Sequence, residues 1–262
     1  MKIVDQIGHA FFLESKPKKI ISVVPSQTEL LFDLGLGENI VGITKFCIHP
    51  KERTSTKTKI GGTKNLDIEK IRDLQPDIIF ANKEENTKEQ IEILSQEFNV
   101  WTSDISHFET AIQMILMIGD VTGKSYEAED LSKRIKLLFD SLPLSVNKTC
   151  IYLIWNKPIM TIGGDTFIND MLCRAGYLNL TENKKRYPTI SEANILELKP
   201  DVLFLSSEPY PYSDEHLHYY KTILHNTQII LVDGELFSWY GSRMLHAPLY
   251  FSELRRTIEN AL

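Results

Sequence analysis

The chain has 262 residues, 42% of them hydrophobic and 24% charged, a make-up that suits a globular protein with one large domain or two ordinary lobes. A net charge of −6, with only short basic runs at 16–19 and 184–186, argues against a nucleic-acid surface. No stretch approaches the roughly 18 apolar residues of a membrane span. The three cysteines, Cys47, Cys150 and Cys173, have neither metal-ligand nor disulfide-framework spacing and read as free thiols.

Residues 1–15 alternate around Gly8 and predict a β-hairpin with Ile3, Phe11 and Leu13 inward. The start MKIVDQIGHAFFLES has acid and amide groups where a signal peptide has its apolar core. That fits a cytoplasmic chain, or a mature or trimmed form of an exported one. Lys19 to Val24 reads as a strand, followed by a helix from Pro25 to Gly35/Gly37 with Ser26 as N-cap and Glu29 completing a capping box. Ile40 to Phe46 reads as the next strand. A polar loop at 47–62, a helix at 86–97 and a strand at 99–101 follow.

Helix 108–122 is expected to lead, past Gly123, into an amphipathic stretch from Ser125 to Leu142, with Ala128, Leu131, Ile135, Leu138 and Phe139 on one face. A turn-rich break at 143–148 precedes strand 149–155. Then come Gly163-Gly164, helix 166–175, a loop at 178–189, strand 228–232 and a closing helix at 243–260.

One phrase occurs twice. Leu74-Gln75-Pro76-Asp77-Ile78-Ile79-Phe80 returns as Leu198-Lys199-Pro200-Asp201-Val202-Leu203-Phe204, an offset of 124 residues. Each copy is an amphipathic helix stopped by Pro-Asp and a short apolar run, the signature of a buried parallel strand. The architecture expected is α/β: two Rossmann-like lobes with parallel sheets, at 1–122 and 143–262, joined by one long helix at 123–142, with function in the cleft between similar halves.

The run KKIISVVPSQTELLFDLGLGENIVGITKFCIHP closely resembles the opening of substrate-binding proteins of ABC importers for cobalamin, haem and siderophores, the helical-backbone metal receptors. The resemblance continues through NLDIEKIRDLQPDIIFA, TIGGDTFINDMLCRAGYLNL, YPTISEANILELKPDVLFLSSEPYP and VDGELFSWYGSRMLHAP, in the expected order over nearly the whole chain, and is nearest to the cobalamin branch. It implies a class III periplasmic-binding-protein fold with a rigid interlobe helix. It also implies a monomer that captures a metal chelate without catalysis, at a periplasmic or cell-surface location, for an ABC permease.

By the same resemblance, Phe46, Trp155, Tyr187, Trp239, Tyr240 and Arg243 are ligand-binding positions. Flat macrocycles are held by aromatic faces and a few orienting polar groups, and an arginine can meet amide, phosphate or carboxylate oxygens. Strand-end aromatics such as Phe46, Trp155 and Tyr187 also fit a core edge, and Trp101 fits the core. Glu69 matches the permease-docking glutamate of the first lobe. In the second lobe the matching position is Ala193, with Glu192 one residue earlier and so rotated by about 100°.

No catalytic cofactor and no resident metal are expected. A haem or ferric-siderophore ligand is the alternative, with His49, Tyr187 and Tyr240 as axial candidates and Arg186 and Lys45 as cationic helpers. His216 and His218 lie in the wrong context for a closed metal site. A cytoplasmic enzyme or corrinoid-handling protein on the same scaffold is the remaining reading, although no nucleophile motif, HExxH or phosphate loop is present.

Overall fold

Alternation around Gly8 closes a short antiparallel hairpin, β1 (Lys2–Val4) against β2 (Ala10–Phe12). Ile3, Phe11 and Leu13 point inward as expected. Its turn is tied by Asp5, whose carboxylate accepts the amides of Ile7, His9 and Thr102 at 3.1, 2.7 and 3.0 Å. The computed structural model describes residues 1–143 and 148–260. By packing, the chain divides into two compact units.

The first unit comprises Met1–Ile105, Glu109–Ile135 and Tyr240–Arg243. After the hairpin come β3 (Ile20–Ser22), α1 (Pro25–Asp33), β4 (Ile40–Ile43), α2 (Lys51–Thr54), β5 (Thr58–Lys59), and a two-residue pair, β6 (Gly61–Gly62) with β7 (Asn65–Leu66). Then follow α3 (Ile68–Leu74), β8 (Ile78–Asn82), α4 (Lys88–Ser95) and β9 (Val100–Ser103). Five strands make one parallel sheet in the order β5-β4-β3-β8-β9. Ile20, Ile21 and Ile78 to Ala81 have no exposed surface, as parallel strands covered on both faces require. Trp101 is fully buried against Phe80, as expected of a core residue.

The expected cap on α1 is not the one observed. Pro25 takes the first helical turn and Val24 is the N-cap, with no side-chain cap bond. Proline's fixed φ suits that position, so the cap lies two residues before the Ser26 expected, and Glu29 is left for another partner.

The second unit comprises Ser106–Phe108, Lys136–Trp239 and Met244–Leu262. Helices α5 (Phe108–Thr122) and α6 (Ser125–Asp140) contribute to both units and are separated at Gly123, which has φ +78°. The Lys124 amide bonds back to the Gly119 carbonyl there, the pattern of a left-handed helix ending. The stretch expected to continue from helix 108–122 is therefore a separate helix. Ala128, Leu131, Ile135 and Phe139 are buried, but Leu138 is 40% exposed because Phe139 fills the inward position of that turn.

Next come β10 (Lys148–Leu153), α7 (Phe167–Arg174), β11 (Tyr177–Asn179), α8 (Glu192–Leu198), β12 (Val202–Ser206), α9 (Asp214–Ile223), β13 (Gln228–Val232), α10 (Glu235–Ser238) and α11 (Ala247–Asn260). The sheet is again parallel, in the order β11-β10-β12-β13. The edge strand β11 lies where a loop was expected. Most of the break expected at 143–148 lies outside the described residues. Buried Arg255 of α11 donates to the carbonyls of Ala175, Pro143 and Arg174 at 2.6, 2.7 and 3.1 Å, placing a cation at the α7 C-terminus where the helix dipole favours it.

The Pro-Asp phrase builds the same corner in both units. α3 ends on Gln75 and α8 on Lys199, both left-handed at φ 50° and 47°. Proline then releases the chain into β8 or β12, each interior to its sheet, and the aspartate carboxylate fastens the start of the neighbouring strand. Asp77 accepts the amides of Lys18 and Lys19 at 2.7 and 2.8 Å. Asp201 accepts the amide and hydroxyl of Thr149 at 2.7 and 2.6 Å.

Candidate functional site

In the first unit Phe46 stands in the turn after β4 with half its surface exposed, 50%. The turn is anchored from beneath. The Cys47 sulfur is buried within 3.1 Å of the Thr28 hydroxyl and 3.2 Å of the Thr44 hydroxyl, and burial pushes its thiol up. The Lys45 amide bonds to the Gly61 carbonyl at 2.8 Å. A Cβ on Gly62 would lie 3.2 Å from the Phe46 ring, so the glycine gives that ring its seat. The Lys45 ammonium stands 5.1 Å from the ring centroid. The result is an apolar face with a cation at its edge, held by a fixed backbone.

Tyr240 and Arg243 also belong to the first unit, Tyr240 buried and Arg243 half-buried. Tyr240 is 5% exposed and its hydroxyl donates to Glu85 at 2.8 Å. Burial, then the Glu85 charge, pushes that phenol well above its usual range. Arg243 donates through Nε and Nη2 to the two Glu29 oxygens at 2.8 and 2.6 Å, with both side chains 14% exposed. Both residues were expected to face ligand. Their partners lie 155 and 214 positions away in sequence, and the guanidinium fork is engaged by the glutamate expected to cap α1.

The second unit carries the other three aromatics. Trp155 follows β10 and is 39% exposed. Its indole donates to the Lys157 carbonyl at 3.0 Å, and its own carbonyl accepts the Tyr212 hydroxyl at 2.8 Å. Tyr210 meets the Trp155 ring edge-on at 5.8 Å and contacts His216 Nε2 at 3.0 Å. His216 in turn accepts at Nδ1 the Ser213 amide in the capping box of α9. That histidine is a helix cap inside an aromatic cluster.

Tyr187 is half-buried, with the Arg186 guanidinium 5.9 Å from its ring. Its loop lies directly on Gly163-Gly164. A Cβ on either glycine would fall 2.3 Å from a loop carbonyl, that of Lys184 or of Glu182. Those glycines therefore admit the protein's own loop. Asp165 accepts the Arg186 amide at 2.6 Å and fixes the segment before Tyr187. Trp239 is half-buried and its indole donates to Glu208 at 2.9 Å.

Among the described residues no group of His, Cys, Asp and Glu could hold a metal ion. The two glutamates expected to dock on a permease sit differently. With Asp67 and Ser191 as N-caps, Glu69 is the second residue of α3 and Glu192 the first of α8. Glu69 is 80% exposed and pairs with Arg72, which also grips Glu97 through Nε. Glu192 accepts the Tyr219 hydroxyl at 2.8 Å. The one-residue shift read from the sequence is real in the helix register.

A family model described as Periplasmic binding protein matches residues 20–222. The chain belongs to that family. The family consists of solute-binding transport components, not enzymes. An ABC transporter substrate-binding lipoprotein of Bacillus subtilis is 29% identical over a 204-residue alignment that covers 73% of this chain and 64% of that protein. A vitamin B12-binding protein of Vibrio campbellii is 23% identical over 203 residues, covering 75% of this chain and 74% of the relative. The fold of a periplasmic haem-binding protein from Roseiflexus superposes with a TM-score of 0.80 at 20% identity, over 93% of this chain and 98% of that one. The two-lobed α/β architecture with parallel sheets is thus that of periplasmic binding proteins.

Proposed function

We propose that the chain captures a corrinoid of the cobalamin type, without catalysis, and delivers it to an ABC importer from a periplasmic or cell-surface location. The observation that carries this reading is the set of accessible aromatic faces on anchored loops: Phe46 on the first unit, and Trp155, Tyr187 and Trp239 on the second. By resemblance, Phe46, Tyr187 and Trp239 match aromatic positions of the cobalamin branch and Trp155 lies within a residue of another, and vitamin B12-binding proteins match the chain over about three-quarters of its length. Aromatic faces suit a flat macrocycle because they supply large contact area at low entropic cost. Tyr240 and Arg243 support the site from within the first unit. Glu69 is the docking residue of the first unit and Glu192, aimed by Tyr219, that of the second; a monomer suffices for the role.

Titration with cyanocobalamin by calorimetry and tryptophan quenching tests the reading. Saturable binding with Kd below about 1 μM is expected, weakened about tenfold or more by Phe46→Ala. Absence of saturable binding at micromolar protein would sink the corrinoid assignment.

A second reading, haem or a ferric siderophore, is favoured by the cations seated on two of these rings, Lys45 on Phe46 and Arg186 on Tyr187. Both ligands carry anionic groups. A hemin arm in the same titration separates them: tighter binding of hemin, lost as salt rises, selects the anionic ligand.

A further inference from the structure

Indole N–H is a donor only, and a half-buried one needs an acceptor. In this chain Glu208, placed just past the end of β12, meets that need. Its Oε1 accepts the Trp239 indole at 2.9 Å and the Ser238 hydroxyl at 2.6 Å.

The glutamate is itself fixed at its backbone. The Ser206 hydroxyl donates to the Glu208 carbonyl at 2.6 Å and accepts its amide at 3.3 Å. Space for the side chain depends on Gly234, where a Cβ would fall 2.6 Å from Glu208 Cγ and 2.4 Å from Ser206 Oγ. The turn holding that glycine is tied back through its amide to the Ser207 hydroxyl at 2.9 Å. The carboxylate sits against opposition: burial first, and the charges of Glu235 and Asp233 as well, raise its pKa above the ordinary range. A surface acid with no task would point to water. Here one carboxylate oxygen takes both the Ser238 hydroxyl and the Trp239 indole, and a charge-assisted bond is stronger than a neutral one.

We infer that Glu208 is a positioning residue that fixes the Trp239 indole in the orientation used to hold ligand. The inference rests on the reading of Trp239 as a ligand contact. It assigns to Glu208 no contact with ligand.

The test uses the full chain labelled with 5-fluorotryptophan. The sequence has three tryptophans, so the fluorine spectrum has one line each for Trp101, Trp155 and Trp239, the last assigned by Trp239→Phe. In the free protein, Glu208→Ala is expected to move the Trp239 line and increase its H2O/D2O isotope shift. Glu208→Gln is expected to leave the line near its place, because the amide oxygen still accepts. Ser238→Ala, a milder change, should leave it in place as well.

Cyanocobalamin affinity should fall about tenfold in Glu208→Ala and by no more than about threefold in Glu208→Gln. An unmoved Trp239 line in Glu208→Ala would overturn the inference, as would a Glu208→Gln variant as impaired as Glu208→Ala. Should the wild-type chain bind no corrinoid, the ligand reading falls, while the fluorine line of the free protein still decides whether Glu208 holds Trp239.

Discussion

In the first Pro-Asp corner the aspartate takes two backbone amides, those of Lys18 and Lys19; in the second it takes the amide and hydroxyl of one residue, Thr149. The preceding helices end alike, on Gln75 and Lys199 in left-handed geometry. Their outer faces differ. α3 carries Glu69 and Arg72, with Arg72 gripping Glu97, while α8 offers Glu192 to a tyrosine from α9. Inside, parallel-sheet pairing constrains how a helix hands over to an interior strand, and Pro-Asp meets that constraint twice. Outside, no sheet pairing constrains the helix, and the two faces carry different side-chain partners.

The sharpest break in the likeness is what each unit takes from distant sequence. The first includes the segment Tyr240–Arg243, held by the Arg243–Glu29 pair. Arg243→Met should cost about 3–5 kcal/mol in chemical denaturation, because it leaves Glu29 desolvated and alone. Pairing it with Glu29→Gln should recover part of that loss. Recovery of nothing would mean that the methionine, not the orphaned charge, does the damage.

The corners themselves come next. Asp77→Ala and Asp201→Ala should each destabilise by about 1–2 kcal/mol, since each removes an ionised acceptor shared by two donors near the surface. A marked inequality would break the equivalence of the two copies.

Asp201 also sharpens the comparison through pH. Its pKa lies below the usual carboxylate value, chiefly through the Thr149 hydroxyl and amide. A depressed pKa contributes stability that is full above the unfolded value, about 4, and is lost as pH falls through the folded value. The stability gap between wild type and Asp201→Asn at pH 7 should therefore narrow on acidification below about pH 4. A gap that is constant down to acid unfolding would show that charge is not what Asp201 contributes.

The smallest effects belong to the outer faces. Arg72→Ala and Tyr219→Phe should leave the unfolding midpoint where it is, because exposed pairs add little to stability. If the faces serve a permease, these variants should change transport or complex formation instead.

Much of the fold was legible because it is written locally. Alternation in the hairpin, the double Pro-Asp phrase and the all-apolar runs of β8 and β12 are short-range patterns, and all became the expected elements. β11 was missed because a three-residue edge strand leaves too little pattern to separate it from a loop. Of the proposed ligand contacts, Phe46 and Trp155 keep exposed rings. The roles of Tyr240, Arg243 and Glu208 were not legible, because each depends on a partner at least 30 positions away, as with Glu208 and Ser238. The Glu-Pro after β12 and the Gly ahead of α10 were the available signals, and neither reveals which tryptophan they serve.

The four residues Tyr240–Arg243 also bear on how the chain is born. A ribosome releases the first unit's strands and helices early, yet that unit is not complete until residue 243 has left the tunnel. Until then Glu29 has no arginine and Glu85 has no tyrosine, so the amino-terminal half waits as an unfinished body. A fragment ending at Pro143 would carry Glu29 and Glu85 without Arg243 and Tyr240.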